Sequence, residues 1–119
     1  MRKYTEDHEW LEVNDGIATV GITEHATTQL GDLVYIELPD VGIEVSTGDE
    51  IIVIESVKAA GEVLAPCDGT IIEINTTLVE NAEIVSNNPE SDGWLFKIRI
   101  NNPSQIETMM DKDAYDKIL

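Results

Sequence analysis

Lys58 is the only lysine or arginine between Lys3 and Lys97. It sits in Glu55-Ser56-Val57-Lys58-Ala59-Ala60-Gly61-Glu62, between two runs of β-forming residues, where a turn should leave it at a hairpin tip, exposed and projecting. A primary amine held clear of the fold can be acylated by another enzyme. A cation-poor chain with a β run on each side of one lysine has the layout such a tether requires. The ordinary reading of an exposed lysine is a solvated turn residue that aids solubility, and the isolation of this one weighs against it. The other reactive residues offer less chemistry. Cys67 follows Pro66 in a turn and reads as a packed, inert thiol. His8 and His25 are far apart, with no second ligand at helical spacing, so local hydrogen bonds are expected of them and no metal site. Asn75-Thr76-Thr77 matches a glycosylation acceptor, an accidental match where the start carries no secretory run. No phosphate-cradling glycine loop or nucleophile elbow occurs, so a hydrolase built on Cys67 and a histidine has little support.

Short β runs must position Lys58. Residues 10–13 and 17–22 flank Asn14-Asp15-Gly16, a tight hairpin signal. Thr23 can cap a helix over residues 24–30, which Gly31 would end in the left-handed region. Residues 33–38 resume strand until Pro39. Residues 50–55 are apolar on both faces, so the pattern predicts a strand buried on both sides at the centre of a sheet. Residues 61–65 and 70–74 follow on either side of Pro66-Cys67-Asp68. In residues 94–100, Trp94, Phe96, Ile98 and Ile100 alternate with Leu95, Lys97 and Arg99, the clearest strand pattern in the chain. Ser104 and Glu107 stand at capping-box spacing, which predicts a helix turning Ile106, Met109 and Met110 inward. A second helical turn should carry Ala114, Tyr115, Ile118 and Leu119. Residues 48–55 and 69–74 echo each other in punctuation and apolar content, as two related β halves packed face to face would.

Composition bounds the partners. With 119 residues, 42% of them hydrophobic, the chain should form one domain over residues 1–119 with a single core. Seven basic residues against 24 acidic ones give a net charge of -17, which excludes nucleic acid and anionic membranes as natural partners. One cysteine cannot form an internal disulfide, and no run is long enough to span a bilayer, so the expected address is the cytoplasm.

Glu55-Ser56-Val57-Lys58-Ala59 resembles the lipoylation motif of the glycine cleavage H-protein family, which is related to the lipoyl and biotinyl carrier domains. The resemblance extends through Tyr4-Thr5, His8-Glu9-Trp10, Val20-Gly21-Ile22-Thr23-Glu24-His25-Ala26, Leu30-Gly31-Asp32, Glu37-Leu38-Pro39 and Ala65-Pro66 to Asn88-Pro89 and Gly93-Trp94-Leu95. It implies a mainly β fold, a lipoyl/biotinyl-carrier-like β sandwich (hybrid barrel) of two small sheets, with a short helix after the first hairpin and a C-terminal helix. It also implies a carrier rather than an enzyme, with lipoic acid joined to Lys58 by an amide. Such a carrier would move the aminomethyl group of glycine from glycine decarboxylase (P protein) to aminomethyltransferase (T protein), with dihydrolipoamide dehydrogenase (L protein) reoxidising it. A lipoate ligase or a lipoyl/octanoyl transferase would install the cofactor, and a monomer is expected. Glu9 and Glu62 occupy the positions that would shelter the carried amine. Asp7 and Gly61 stand where the family commonly has Ser. A divergent lipoyl carrier serving lipoate relay or sulfur oxidation would bear the same motif, and an unmodified acidic interaction module is a further alternative. Biotin carriers favour Met beside their lysine, where this chain has Val57 and Ala59.

Overall fold

The computed structural model describes residues 1–119 and arranges nine strands in two antiparallel sheets. Strands β1 (Arg2–Tyr4), β2 (Glu9–Asn14) and β3 (Ile17–Ile22) form a meander. Asp15 and Gly16 join β2 to β3 with φ of 50° and 77°, the positive angles a two-residue turn needs to match the twist of its strands. Helix α1 (Glu24–Leu30) begins at Thr23, whose side chain accepts a hydrogen bond from the Ala26 N–H, and it ends at Gly31. Gly31 has φ 80° but ψ -162°, so the chain leaves the helix extended rather than in a left-handed turn. Strands β4 (Leu33–Glu37), β5 (Glu44–Val45), β6 (Glu50–Ser56), β7 (Ala60–Leu64) and β8 (Gly69–Ile74) follow. A 3-10 turn (Thr76–Val79) and helix α2 (Glu83–Asn87) lead to β9 (Phe96–Ile100). Two short helices, α3 (Ser104–Glu107) and α4 (Lys112–Lys117), close the chain.

The larger sheet has the order β1-β2-β3-β9-β8-β5 and the smaller β4-β6-β7, and neither closes into a barrel. Their inner faces enclose one cluster of 20 buried residues, among them Leu11, Val20, Ile52, Ile71, Phe96 and Ile98. At roughly 1.5–3 kcal/mol for each large apolar side chain, this cluster supplies most of the drive to fold. A second, smaller cluster joins Tyr4, Trp10 and Tyr115, tying both ends of the chain to the sheet. There the Trp10 ring covers Gly21, where a Cβ would fall 2.6 Å from the indole nitrogen, so no larger residue fits.

Several expectations need correction. Strand β6 is central in its sheet, but only one face is buried. Ile52 and Ile54 point inward, whereas Val53 is 39% exposed, because the opposite face has no layer over it. Strand β9 starts at Phe96, and Leu95, expected on the same face as Lys97 and Arg99, is fully buried with its N–H bonded to the Val20 carbonyl. Ser104 does not cap a helix. Its N–H and its hydroxyl both donate to the Asn102 side-chain oxygen, while Pro103 takes the cap position of the single turn α3. Ile118 and Leu119 are exposed, leaving Tyr115 as the buried anchor of α4.

Candidate functional site

Lys58 stands in the turn between β6 and β7, exposed and in none of the chain's ion pairs. Ser56 organises that turn: its hydroxyl accepts hydrogen bonds from the N–H groups of Lys58 and Ala59, and it donates to the Ala59 carbonyl. The turn is also held from the side. The Val57 N–H donates to the Asp32 carbonyl at 3.0 Å, and Leu33 pairs with Ser56. The Lys58 stem lies across Gly31, where a Cβ would sit 2.7 Å from the lysine Cε. Glycine is favoured there by its positive φ, and a side chain in its place would push the flexible lysine stem aside. The backbone of the turn is fully secured by these neighbours, so the amine itself has no structural duty.

A cleft of about 330 Å³ opens beyond the other end of β7, lined by Tyr4, Thr5, Glu9, Leu64, Pro66 and Met109 among others. Glu9 is its one buried carboxyl, 3% exposed. Its carboxylate accepts hydrogen bonds from the Thr5 hydroxyl at 3.1 Å and from the Leu64 N–H at 3.2 Å, a donor left free because β7 is an edge strand. Burial pushes the Glu9 pKa up to about 7, with Asp7 adding to the rise and the two hydrogen bonds opposing it. Glu62 does not line this cleft. It is exposed on β7, on the same side of the strand as Ala60 and Leu64. The three mark a path of about 13 Å from the turn to the cleft, at about 3.3 Å per residue.

Residues far apart in sequence meet beside the cleft. The rings of His8 and His25 are 4.5 Å apart, and His8 Nδ1 bonds the Tyr115 hydroxyl at 2.8 Å, contrary to the expectation of local bonds. A 2.7 Å hydrogen bond joins the same hydroxyl to Thr23, so one phenol ties α4 to both the β1–β2 loop and the start of α1. Burial, and then the neighbouring His25, lower the His8 pKa against the opposing pull of Asp7, which favours the neutral imidazole. Tyr115→Phe should lower the unfolding free energy by about 1–2 kcal/mol, since buried Thr23 and half-buried His8 lose a partner. A urea midpoint equal to that of wild type would show the bridge to be idle. Sequence reasoning did not find Thr5, Ser56 or Tyr115 as supporting residues. Gly31 was expected as the end of α1, while the only signal for Thr5 and Ser56 was that each lies inside a motif segment. Cys67 is fully buried, and burial, then Asp68, push its thiol up to about 11, so it stays unreactive.

The family model for the glycine cleavage H-protein matches residues 2–119. A glycine cleavage system H protein of Thermotoga maritima is 49% identical over 117 residues, covering 98% of this chain and 94% of that protein. One from Salmonella arizonae is 48% identical over 118 residues, covering 98% and 92%. Among solved structures, a glycine cleavage system H protein from Mycobacterium marinum superimposes with a TM-score of 0.90 at 34% identity, over 98% of this chain and 94% of that one. With matches along almost its whole length in sequence and in fold, the chain belongs to the glycine cleavage H-protein family.

Proposed function

We propose that Lys58 carries lipoic acid as an amide and that the chain shuttles the aminomethyl group of glycine from the P protein to the T protein, with the L protein resetting it. The observation that carries this reading is the Lys58 turn: an exposed, unpaired amine on a rigid hairpin, in a chain of this family. The residues fit the group. Bare Gly31 leaves room for the lysine stem, and the Ser56 hydroxyl and Asp32 carbonyl, which accept from backbone N–H groups, fix the turn without using the amine. In acylation the neutral amine attacks the activated carboxyl carbon, the bond to the activating group breaks, and the surplus proton passes to solvent. When bound, lipoic acid supplies a disulfide that is reduced as the one-carbon unit is taken up and restored by oxidation. Tethering holds the carried group at high local concentration as partners are visited in turn. On this reading the chain works as a monomer in the cytoplasm.

Glu9 gives the carried amine a place to rest. Its carboxylate, partly shielded from water in the cleft, favours a cationic nitrogen, and Glu62 lies exposed on the way there. Two experiments test the reading. The lipoylated chain is expected to support glycine-dependent bicarbonate exchange by a bacterial glycine decarboxylase. A fully lipoylated chain that gives none overturns the pathway assignment and favours a carrier for another pathway. Glu9→Gln with Glu62→Gln should leave lipoylation intact yet release ammonia from the loaded, purified chain roughly several-fold faster than wild type. Equal release rates would overturn the sheltering role.

A further inference from the structure

The outer face of the three-stranded sheet has no cover from its own chain. Strand registers place Tyr35, Glu55 and Ala60 in one cross-strand row and Glu37, Val53 and Glu62 in the next, and all six are exposed. The row between them, Ile36, Ile54 and Gly61, faces the core. Tyr35 retains 46% and Val53 39% of their full exposure. The carboxylates of Glu37, Glu55 and Glu62 enter no ion pair, and Lys58 is the only lysine or arginine on these three strands and their connections. An aromatic and a β-branched side chain thus stand in water among three unpaired carboxylates. The first row adjoins the Lys58 turn, for Glu55↔Ala60 is the pair that closes the hairpin beside it.

We propose that this face is the docking surface for the enzyme that acylates Lys58, which meets it with an apolar patch flanked by lysine or arginine. The proposal rests on Lys58 being the acylated residue. Reach selects this partner. An enzyme acting on the bare amine must bring its active site within one lysine length of the turn, and so it covers the rows next to it. An enzyme acting on the far end of an attached arm stands off by the length of that arm. Charge complementarity sets the chemistry of the contact, since cations from the partner find carboxylates that nothing in this chain neutralises. Tyr35 and Val53 lose water at its centre, where aromatic anchors contribute most to binding.

The test uses the purified full chain, a bacterial lipoate ligase, lipoate and ATP, with the product followed by intact mass. Tyr35→Lys is expected to raise the KM for the chain roughly tenfold with kcat nearly unchanged, equivalent to about 1.4 kcal/mol of binding. Tyr35→Phe should behave as wild type, and so should Asn14→Lys, a matched added charge in the β2–β3 hairpin of the other sheet. Urea midpoints and the rate of Lys58 acetylation by a small activated ester should be the same in all variants, which shows the turn to be intact. The wild-type KM should rise with salt. A Tyr35→Lys KM like that of wild type or of Asn14→Lys overturns the docking face and leaves Lys58 as the acceptor. A wild-type chain that gains no lipoyl mass overturns the acceptor, and the face with it.

Discussion

Lys58→Arg is expected to abolish lipoylation, leaving the intact mass of the chain unchanged after incubation with ligase, lipoate and ATP, and to abolish any support of glycine decarboxylation. The reason is acid–base chemistry. A lysine amine loses its proton often enough to attack an activated acyl carbon, whereas a guanidinium stays protonated at any pH the enzyme tolerates and presents no free nucleophile. The substitution keeps the charge, and the turn does not depend on the amine, since Ser56, Asp32 and Leu33 hold it through the backbone. The urea midpoint should therefore match that of wild type, so loss of lipoylation cannot be ascribed to unfolding. No other lysine should compensate, since none stands in a hairpin turn: Lys3 and Lys97 sit within β1 and β9, and Lys112 and Lys117 belong to α4. A variant that still gains lipoyl mass would move the attachment site elsewhere.

Glu9 should make stability fall as pH rises. Its carboxyl has an ordinary value of 4.5 and is pushed up to about 7 in the folded chain. Between these values the folded chain keeps a proton that the unfolded chain has lost, so raising the pH favours unfolding. The contribution is fully present below pH 4.5 and is lost by the time the pH passes 7. At about 1.4 kcal/mol for each pH unit of separation, it amounts to about 3 kcal/mol. Glu9→Gln removes it. From pH 4.5 to 8, wild type should therefore lose about 3 kcal/mol more unfolding free energy than the variant in urea titrations. The repulsion among the other acids acts on both chains and cancels in the difference. Equal slopes would mean that Glu9 is ionised or wetted in the folded state. The same titration bears on the proposed shelter: an ionised carboxylate attracts a cationic amine and a protonated one does not, so on that reading shelter in the cleft should improve as pH rises through 7.

Much of the architecture was legible before any tertiary structure, and with it the turn that presents Lys58. Asp15-Gly16 fixed the first hairpin, because its turn needs two positive φ angles that these residues tolerate. Thr23 and Gly31 set both ends of α1, and the cation desert around Lys58 marked the turn it occupies. These are short-range effects, decided by steric limits and hydrogen bonds within a few residues. The same kind of reasoning failed at Ser104, where Asn102 offered a competing side-chain acceptor. It failed at Val53 as well, because an apolar side chain does not announce whether another layer will cover it.

What only the tertiary structure decided is the environment of residues whose types say little. Glu9 is one acid among 24, and its identity does not reveal that an unpaired Leu64 N–H and a cleft wall would bury it and raise its pKa. His8 and His25 looked unrelated until β2 and α1 brought their rings together under Tyr115. Val53 was expected to be buried, and the topology left it with Tyr35 on an open face beside Lys58. Desolvation and contact are sums over neighbours drawn from distant parts of the chain, and those neighbours are assigned only when the sheets pair and pack. The sequence by itself could place the amine on a hairpin, but the partners of its surroundings were settled by the fold.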